Sequence, residues 1–221
     1  LTYIAITLAV DLNTATIHDF SRTLDMRSGL YSREVTLTTS DGIKLTINSA
    51  RFLALFQEEL GCIKYTVKLH GQAAQIRVSP YIDSNIKNKD SNWDDPFWAY
   101  MGQNRGVNFA MLHTKTNKSN FDVCTYQAVS FQVDDDELKA FSCHEEKGRI
   151  AFECQANLKA GQKITVEKMG GYCSSLQQPQ ETHQNHVKQI AHNALNKGFD
   201  ALLDLTKNTL GRHLENGRYN Y

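Results

Sequence analysis

The stretch Arg33-Glu34-Val35-Thr36-Leu37-Thr38-Thr39-Ser40-Asp41-Gly42-Ile43-Lys44-Leu45-Thr46-Ile47-Asn48-Ser49 decides the fold class. Apolar and polar residues alternate with period two on both sides of a short Asp-Gly link. That combination is a strong short-range signal for a β-hairpin. Each arm then has one face for a core and one for solvent, because successive strand side chains point to opposite faces.

Outward from this hairpin the same signature recurs. Residues 1–10 are β-branched and apolar and end at the turn Asp11-Leu12-Asn13. Residues 51–56, 61–68 and 74–79 continue the series, followed by 107–112, 121–126, 128–133, 147–154 and 162–169. Some dozen short strands at turn-marked spacing predict a mainly β protein, a sandwich or barrel. No helical period separates them, which argues against a parallel α/β sheet. After Pro179 the period changes. Val187, Ile190, Ala191, Ala194 and Leu195 fall on one helix face, with Lys197-Gly198 as a stop. Phe199, Leu202, Leu203, Leu205 and Leu210 form a second amphipathic stretch. Two short helices cannot make a core alone, so they must pack on the sandwich or on something beyond it. The expected division is a sandwich over 1–179 and a helical linker over 180–221.

Composition removes several function classes. The 24 basic and 24 acidic side chains cancel, which leaves no electrostatic footprint for nucleic acid or an anionic membrane. No apolar run approaches the roughly 20 residues a membrane-spanning helix needs. The five cysteines (Cys62, Cys124, Cys143, Cys154 and Cys173) are odd in number and lack CxxC spacing. They read as reduced, mostly buried thiols of a cytoplasmic protein. The opening Leu-Thr-Tyr-Ile has neither Met nor a charged leader, so residues before Leu1 are expected to have been removed.

The segment from Asp83 to Trp98 is the chain's most unusual connection. It is long, rich in Asn and Asp, and holds both tryptophans. Connections in compact domains usually run about 4–6 residues, and longer ones are functional or disordered. Flat aromatic faces beside amides and carboxylates suit a sugar, so Asp90, Asn92, Trp93 and Trp98 are candidate substrate-rim residues. Other patterns carry less. His183, His186 and His192 have metal-compatible spacing but no carboxylate or cysteine in register, and read as surface residues. Cys143-His144-Glu145-Glu146 reads as part of a turn between Phe141 and Ile150, and Asp134-Asp135-Asp136-Glu137 as a solvated tip without calcium-loop spacing. Gly170-Gly171 has no helix start behind it to cradle a phosphate. Nothing fixes Glu58, Glu59 or the loop carboxylates in a pocket for acid duty, so no catalytic or metal residue is expected.

Several segments in order carry a resemblance. Leu24-Asp25-Met26-Arg27-Ser28-Gly29-Leu30-Tyr31-Ser32-Arg33, then Arg51-Phe52-Leu53-Ala54-Leu55, then Ile63-Lys64-Tyr65-Thr66-Val67, resemble the amino-terminal domain of glycoside hydrolase family 65. Tyr81-Ile82-Asp83-Ser84-Asn85-Ile86-Lys87-Asn88, with Asp90-Ser91-Asn92-Trp93 and Phe97-Trp98, looks most like that family's maltose phosphorylase branch. Gly198-Phe199-Asp200-Ala201-Leu202-Leu203 is similar to its linker helix. The family includes inverting phosphorylases of maltose, trehalose, kojibiose and nigerose. The resemblance implies a large antiparallel β-super-sandwich followed by a short α-helical linker and an (α/α)6 barrel. In the family the barrel carries the general-acid glutamate and the phosphate site, and phosphate attacks the anomeric carbon. No part of this chain corresponds to that barrel, so the chain alone is not expected to be an enzyme. The implied partners are its own C-terminal barrel, a disaccharide substrate and a second copy in a homodimer. Inorganic phosphate is the co-substrate, and no cofactor is implied. Leu210-Gly211-Arg212-His213-Leu214 stands where the family has a Trp-rich continuation, and by the resemblance the first strands are expected to be cut away before Leu1, as in an excised domain. The alternative reading is an autonomous carbohydrate-binding module with Trp93 and Trp98 as stacking platforms. A third is that Trp93, Phe97 and Trp98 simply anchor the loop by packing.

Overall fold

The computed structural model describes residues 3–7, 14–85, 97–134, 136–177 and 179–217. The chain forms β1 (Tyr3–Thr7), β2 (Thr16–Asp25), β3 (Leu30–Thr38), β4 (Lys44–Leu53), β5 (Gly61–His70) and β6 (Ala74–Asp83). These are followed by β7 (Trp98–Arg105), β8 (Phe109–Thr116), β9 (Asp122–Val133), β10 (Asp136–Glu137), β11 (Ser142–Glu146), β12 (Arg149–Leu158) and β13 (Lys163–Ser174). A 3-10 turn, Gln180–Thr182, leads into α1 (His183–Lys197) and α2 (Phe199–Gly217). The large sheet runs β2-β3-β4-β5-β13-β9-β8-β7 with β10 on β9, and the small sheet runs β1-β6-β12-β11. Every pairing is antiparallel. The mainly β super-sandwich with a short helical pair, expected from the sequence, is what the chain adopts.

The deciding hairpin is β3–β4. Its register sets Val35 opposite Ile47 and Leu37 opposite Leu45, so all four side chains share one face. Gly42, at φ 82°, supplies the left-handed turn residue that the link requires. That face packs on the small sheet. Val35, Leu37, Leu45, Ile47, Val67, Leu69, Leu112, Phe131, Ile164 and Val166 meet Ile76, Val78, Ile82, Ile150, Phe152 and Leu158 in one buried cluster. Burying each such side chain stabilises the fold by about 1.5–3 kcal/mol before chain entropy is counted. The opposite face of the large sheet has its own core. There Phe52, Cys62, Phe109, Met111, Cys124, Tyr126, Ala128 and Met169 bury Val187, Ile190, Ala191 and Ala194 of α1 and Phe199, Leu202 and Leu203 of α2. Most of the positions picked out by period 3.6 therefore dock on the sandwich, with Leu195 packed beside them, while Leu205 is 40% exposed.

Four local differences have physical causes. β2 was not expected, because all ten of its residues are exposed at a sheet edge and no burial shapes its composition. β4 runs unbroken from Lys44 to Leu53, where the sequence suggested a break near Ser49–Arg51. β9 likewise runs through Gln127, which is fully buried and donates from Nε2 to the Ile150 carbonyl at 3.3 Å. Ser142–Glu146 forms β11 against β12, and the turn expected between Phe141 and Ile150 lies at 147–148. Of the three helix histidines only His183 leaves the solvated face: it is 1% exposed, with its ring 6.1 Å from that of His113, whereas His192 is exposed and stacks on Phe109 at 6.3 Å. His186 pairs with Glu59 at 3.1 Å. All five cysteines are free, four of them buried. Among the described residues no helix is long and apolar enough to cross a membrane.

Candidate functional site

The connection between β6 and β7 crosses from the small sheet to the large one, and Asp90, Asn92 and Trp93 lie outside the described residues. Its two roots are well defined. At the first, the Ser84 amide and hydroxyl both donate to the Gly148 carbonyl, at 2.8 and 3.0 Å. The Asn85 amide donates to the Asp83 carboxylate at 2.8 Å, and Asn85 Nδ2 to the Lys147 carbonyl at 3.0 Å. Gly148 sits at φ 77°, and a Cβ there would lie 2.7 Å from Ser84 Oγ and 2.8 Å from Asn85 Oδ1. Only glycine lets the β11–β12 turn close on this root.

The same turn ties the root to β7. The Gly148 amide donates to Gln103 Oε1 at 2.9 Å, and Gln103 Nε2 donates to Glu145 at 2.8 Å. Arg105 Nε reaches the other Glu145 oxygen at 3.0 Å, and Lys147 lies over the Tyr100 ring at 5.5 Å. The hydrogen bonds from Gln103 and Arg105 hold the Glu145 carboxyl below its ordinary pKa. Arg149 stands 3.7 Å from Asp83 and stacks over Tyr81 at 4.7 Å. The result is a polar frame joining both sheets around the loop's base. The sequence marked the Asp83–Asn85 segment and Glu145 only separately and gave no sign of Gln103 or Arg105, because these residues meet only through cross-sheet contacts.

At the second root the Asn117 amide donates to the Phe97 carbonyl at 2.9 Å, and Trp98 opens β7 opposite Thr116. Trp98 is half-buried, and its indole Nε1 is buried without an acceptor among the described residues. Phe97, beside it, is 49% exposed.

Beyond the small sheet's footprint, one face of the large sheet is open. A cavity of about 470 Å³ lies there, and Tyr31, Arg51, Leu53, Glu58, Ile63 and Tyr172 line it. Lys168 reaches the same place from inside. Its side chain is fully buried, its Nζ donates to the Tyr81 carbonyl at 2.5 Å, and burial pushes the amine well below its ordinary pKa. This contact links the cavity wall to the end of β6, two residues before Asp83. Among the described residues no group of three or more His, Cys, Asp or Glu is placed to hold a metal ion.

Fold and site define a β-super-sandwich domain with a helical extension, whose distinctive features are a long inter-sheet loop and an open sheet face. A solved structure with the same fold, described as "Putative kojibiose phosphorylase from human microbiome", matches with a TM-score of 0.80 at 21% identity, over 94% of this chain and 27% of that one. Residues 3–212 match the family described as "Glycosyl hydrolase family 65, N-terminal domain", and the chain belongs to that family. A curated relative, the maltose phosphorylase of Bacillus subtilis (strain 168), is 26% identical over 164 residues, which is 72% of this chain. The chain spans 22% of that relative's length.

Proposed function

We propose that this chain is the non-catalytic amino-terminal domain of an inverting disaccharide phosphorylase. The match to the family over residues 3–212, with a maltose phosphorylase among the relatives, is the observation that supports this reading most strongly. In the proposed reaction, phosphate displaces glucose from an α-glucosidic disaccharide and gives β-glucose 1-phosphate, with maltose the first substrate to test. The chemistry takes place in a helical barrel outside these 221 residues. The sandwich acts as scaffold, as part of a homodimer surface, and as one rim of the active-site mouth through the β6–β7 loop. Its polar frame of Ser84, Asn85, Gly148, Gln103 and Glu145 would fix the loop's direction. The expected compartment is the cytoplasm. An autonomous sugar-binding module gains no support from Trp98, whose indole N–H is buried.

The test is to join this domain to its catalytic domain and incubate the protein with maltose, kojibiose, trehalose and nigerose, with and without phosphate. NMR of the products then identifies the anomer. The proposal expects β-glucose 1-phosphate from one disaccharide, only when phosphate is present. Free glucose as the sole product would refute it.

A further inference from the structure

Following the open face of the large sheet down its strands shows where the core gives way to charge. The cross-strand row Ile164–Val67–Ile47–Val35–Phe20 is apolar. The next row on that face is Val166–Tyr65–Ser49–Arg33–Arg22, and the one after it is Lys168–Ile63–Arg51–Tyr31–Leu24. Arg22 and Arg33 are thus direct cross-strand partners, with Cβ atoms about 5 Å apart, and Arg51 is diagonal to Arg33 across β3–β4. Like charges placed directly opposite destabilise a sheet. No ion pair relieves any of the three among the described residues. Arg51 stacks over Tyr31 at 4.7 Å, which leaves its guanidinium edge free to donate. Three neighbouring guanidinium groups without an ion-pair partner among the described residues make a local positive field that favours an anion.

Arg51 also lines the cavity. The walls beside it are Tyr31, Leu53, Ile63 and Tyr172, and the carboxylates there are Glu58 and Glu59. Glu59 is already engaged by His186 at 3.1 Å. Guanidinium forks match phosphate oxygens, the ring-sized apolar walls match a compact organic body, and Glu58 can accept from its hydroxyls while repelling a second phosphate. We infer that Arg22, Arg33 and Arg51, with the adjoining cavity, form a binding site for a small organic monophosphate. The phosphate sits on the arginines and the ring lies against Tyr31 and Tyr172.

Calorimetric titration of the 221-residue protein with glucose 6-phosphate, inorganic phosphate and glucose tests the inference. The inference expects a saturable isotherm for glucose 6-phosphate that weakens with added salt, weaker binding of inorganic phosphate, and none of glucose. Arg22→Gln lies on a fully exposed edge strand, where it cannot disturb a core, and should weaken glucose 6-phosphate about tenfold or more. Arg33→Lys with Arg51→Lys keeps the charge but loses the forks and should also weaken it. A flat titration up to tens of millimolar overturns the inference. So does wild-type affinity in both variants, which would place the binding elsewhere.

Discussion

Lys168 is an amine buried at a cost. It lies between the two sheets with no exposure, and its Nζ donates to the Tyr81 carbonyl. Burial depresses its folded-state pKa below the ordinary 10.5. Over the interval between that depressed value and 10.5, the unfolded chain holds a proton that the folded chain lacks. Stability therefore rises with pH across this window, by at most about 1.4 kcal/mol per pH unit. Lys168→Met removes that contribution. Denaturant unfolding from neutral pH to about pH 10 should show a shallower dependence on pH in the variant than in the wild type. Parallel profiles would mean that Lys168 stays protonated when folded. Trp98 bears on the loop's role. With its indole N–H buried, Trp98 is expected to contribute chiefly by packing, so Trp98→Ala should lower stability by about 2 kcal/mol. In the protein joined to its catalytic domain the same change should leave the sugar KM near wild type. A raised KM with unchanged stability would instead make Trp98 a substrate contact. The candidate site was only partly legible at this scale. The sequence marks Trp98 as unusual, but not which way its ring faces. The arginine cluster was invisible, because Arg22, Arg33 and Arg51 are far apart in sequence and adjacent only through strand register.

At the scale of elements, Gly170-Gly171 shows what a sequence signal can hide. The pair suggested no chemistry, yet it sits where β13 passes under the β4–β5 connection. A Cβ on Gly171 would lie 1.8 Å from the Glu59 carbonyl oxygen, and one on Gly170 2.5 Å from that of Tyr126. The connection is held down from both sides. Tyr126 donates its hydroxyl to the same Glu59 carbonyl at 2.9 Å, and His186 of α1 meets the Glu59 carboxylate at 3.1 Å. Burial raises the pKa of that carboxyl, but the hydrogen bonds from His186, the backbone and Gln57 outweigh it and bring the pKa below the ordinary value. Gly171→Ala should therefore push the connection off the sheet and cost about 3 kcal/mol or more, read as a drop in Tm. A variant as stable as the wild type would show that the two backbones can separate freely. Strands with one buried face, such as β3 and β4, were legible because their period-two pattern records that burial. β2 and β11 were not, since neither face of β2 is buried and β11 is a short, largely exposed edge.

Across the whole molecule, the large sheet serves two cores. One face carries the small sheet and the other carries α1 and α2. The helices are therefore part of the domain's packing as well as its carboxyl-terminal extension, a choice the sequence had left open. Lys64 reinforces this. It pairs with Asp200 of α2 at 2.8 Å and Glu167 of β13 at 3.6 Å, and Glu167 accepts the Phe199 amide at 3.1 Å at the start of α2. The small sheet covers only part of the opposite face. The remainder exposes Phe20 (52%), Leu24 (56%) and Leu53 (76%) beside the arginines, an unusually apolar surface for a domain to present to solvent. The fold and family explain the architecture, while the proposed reaction belongs to chemistry outside the chain. The most direct test is the initial rate of maltose cleavage by the protein joined to its catalytic domain, measured against phosphate concentration. The proposal predicts a rate that vanishes without phosphate and saturates as phosphate rises, with one glucose released per β-glucose 1-phosphate formed. A rate independent of phosphate, with two glucose molecules released per maltose, would contradict it.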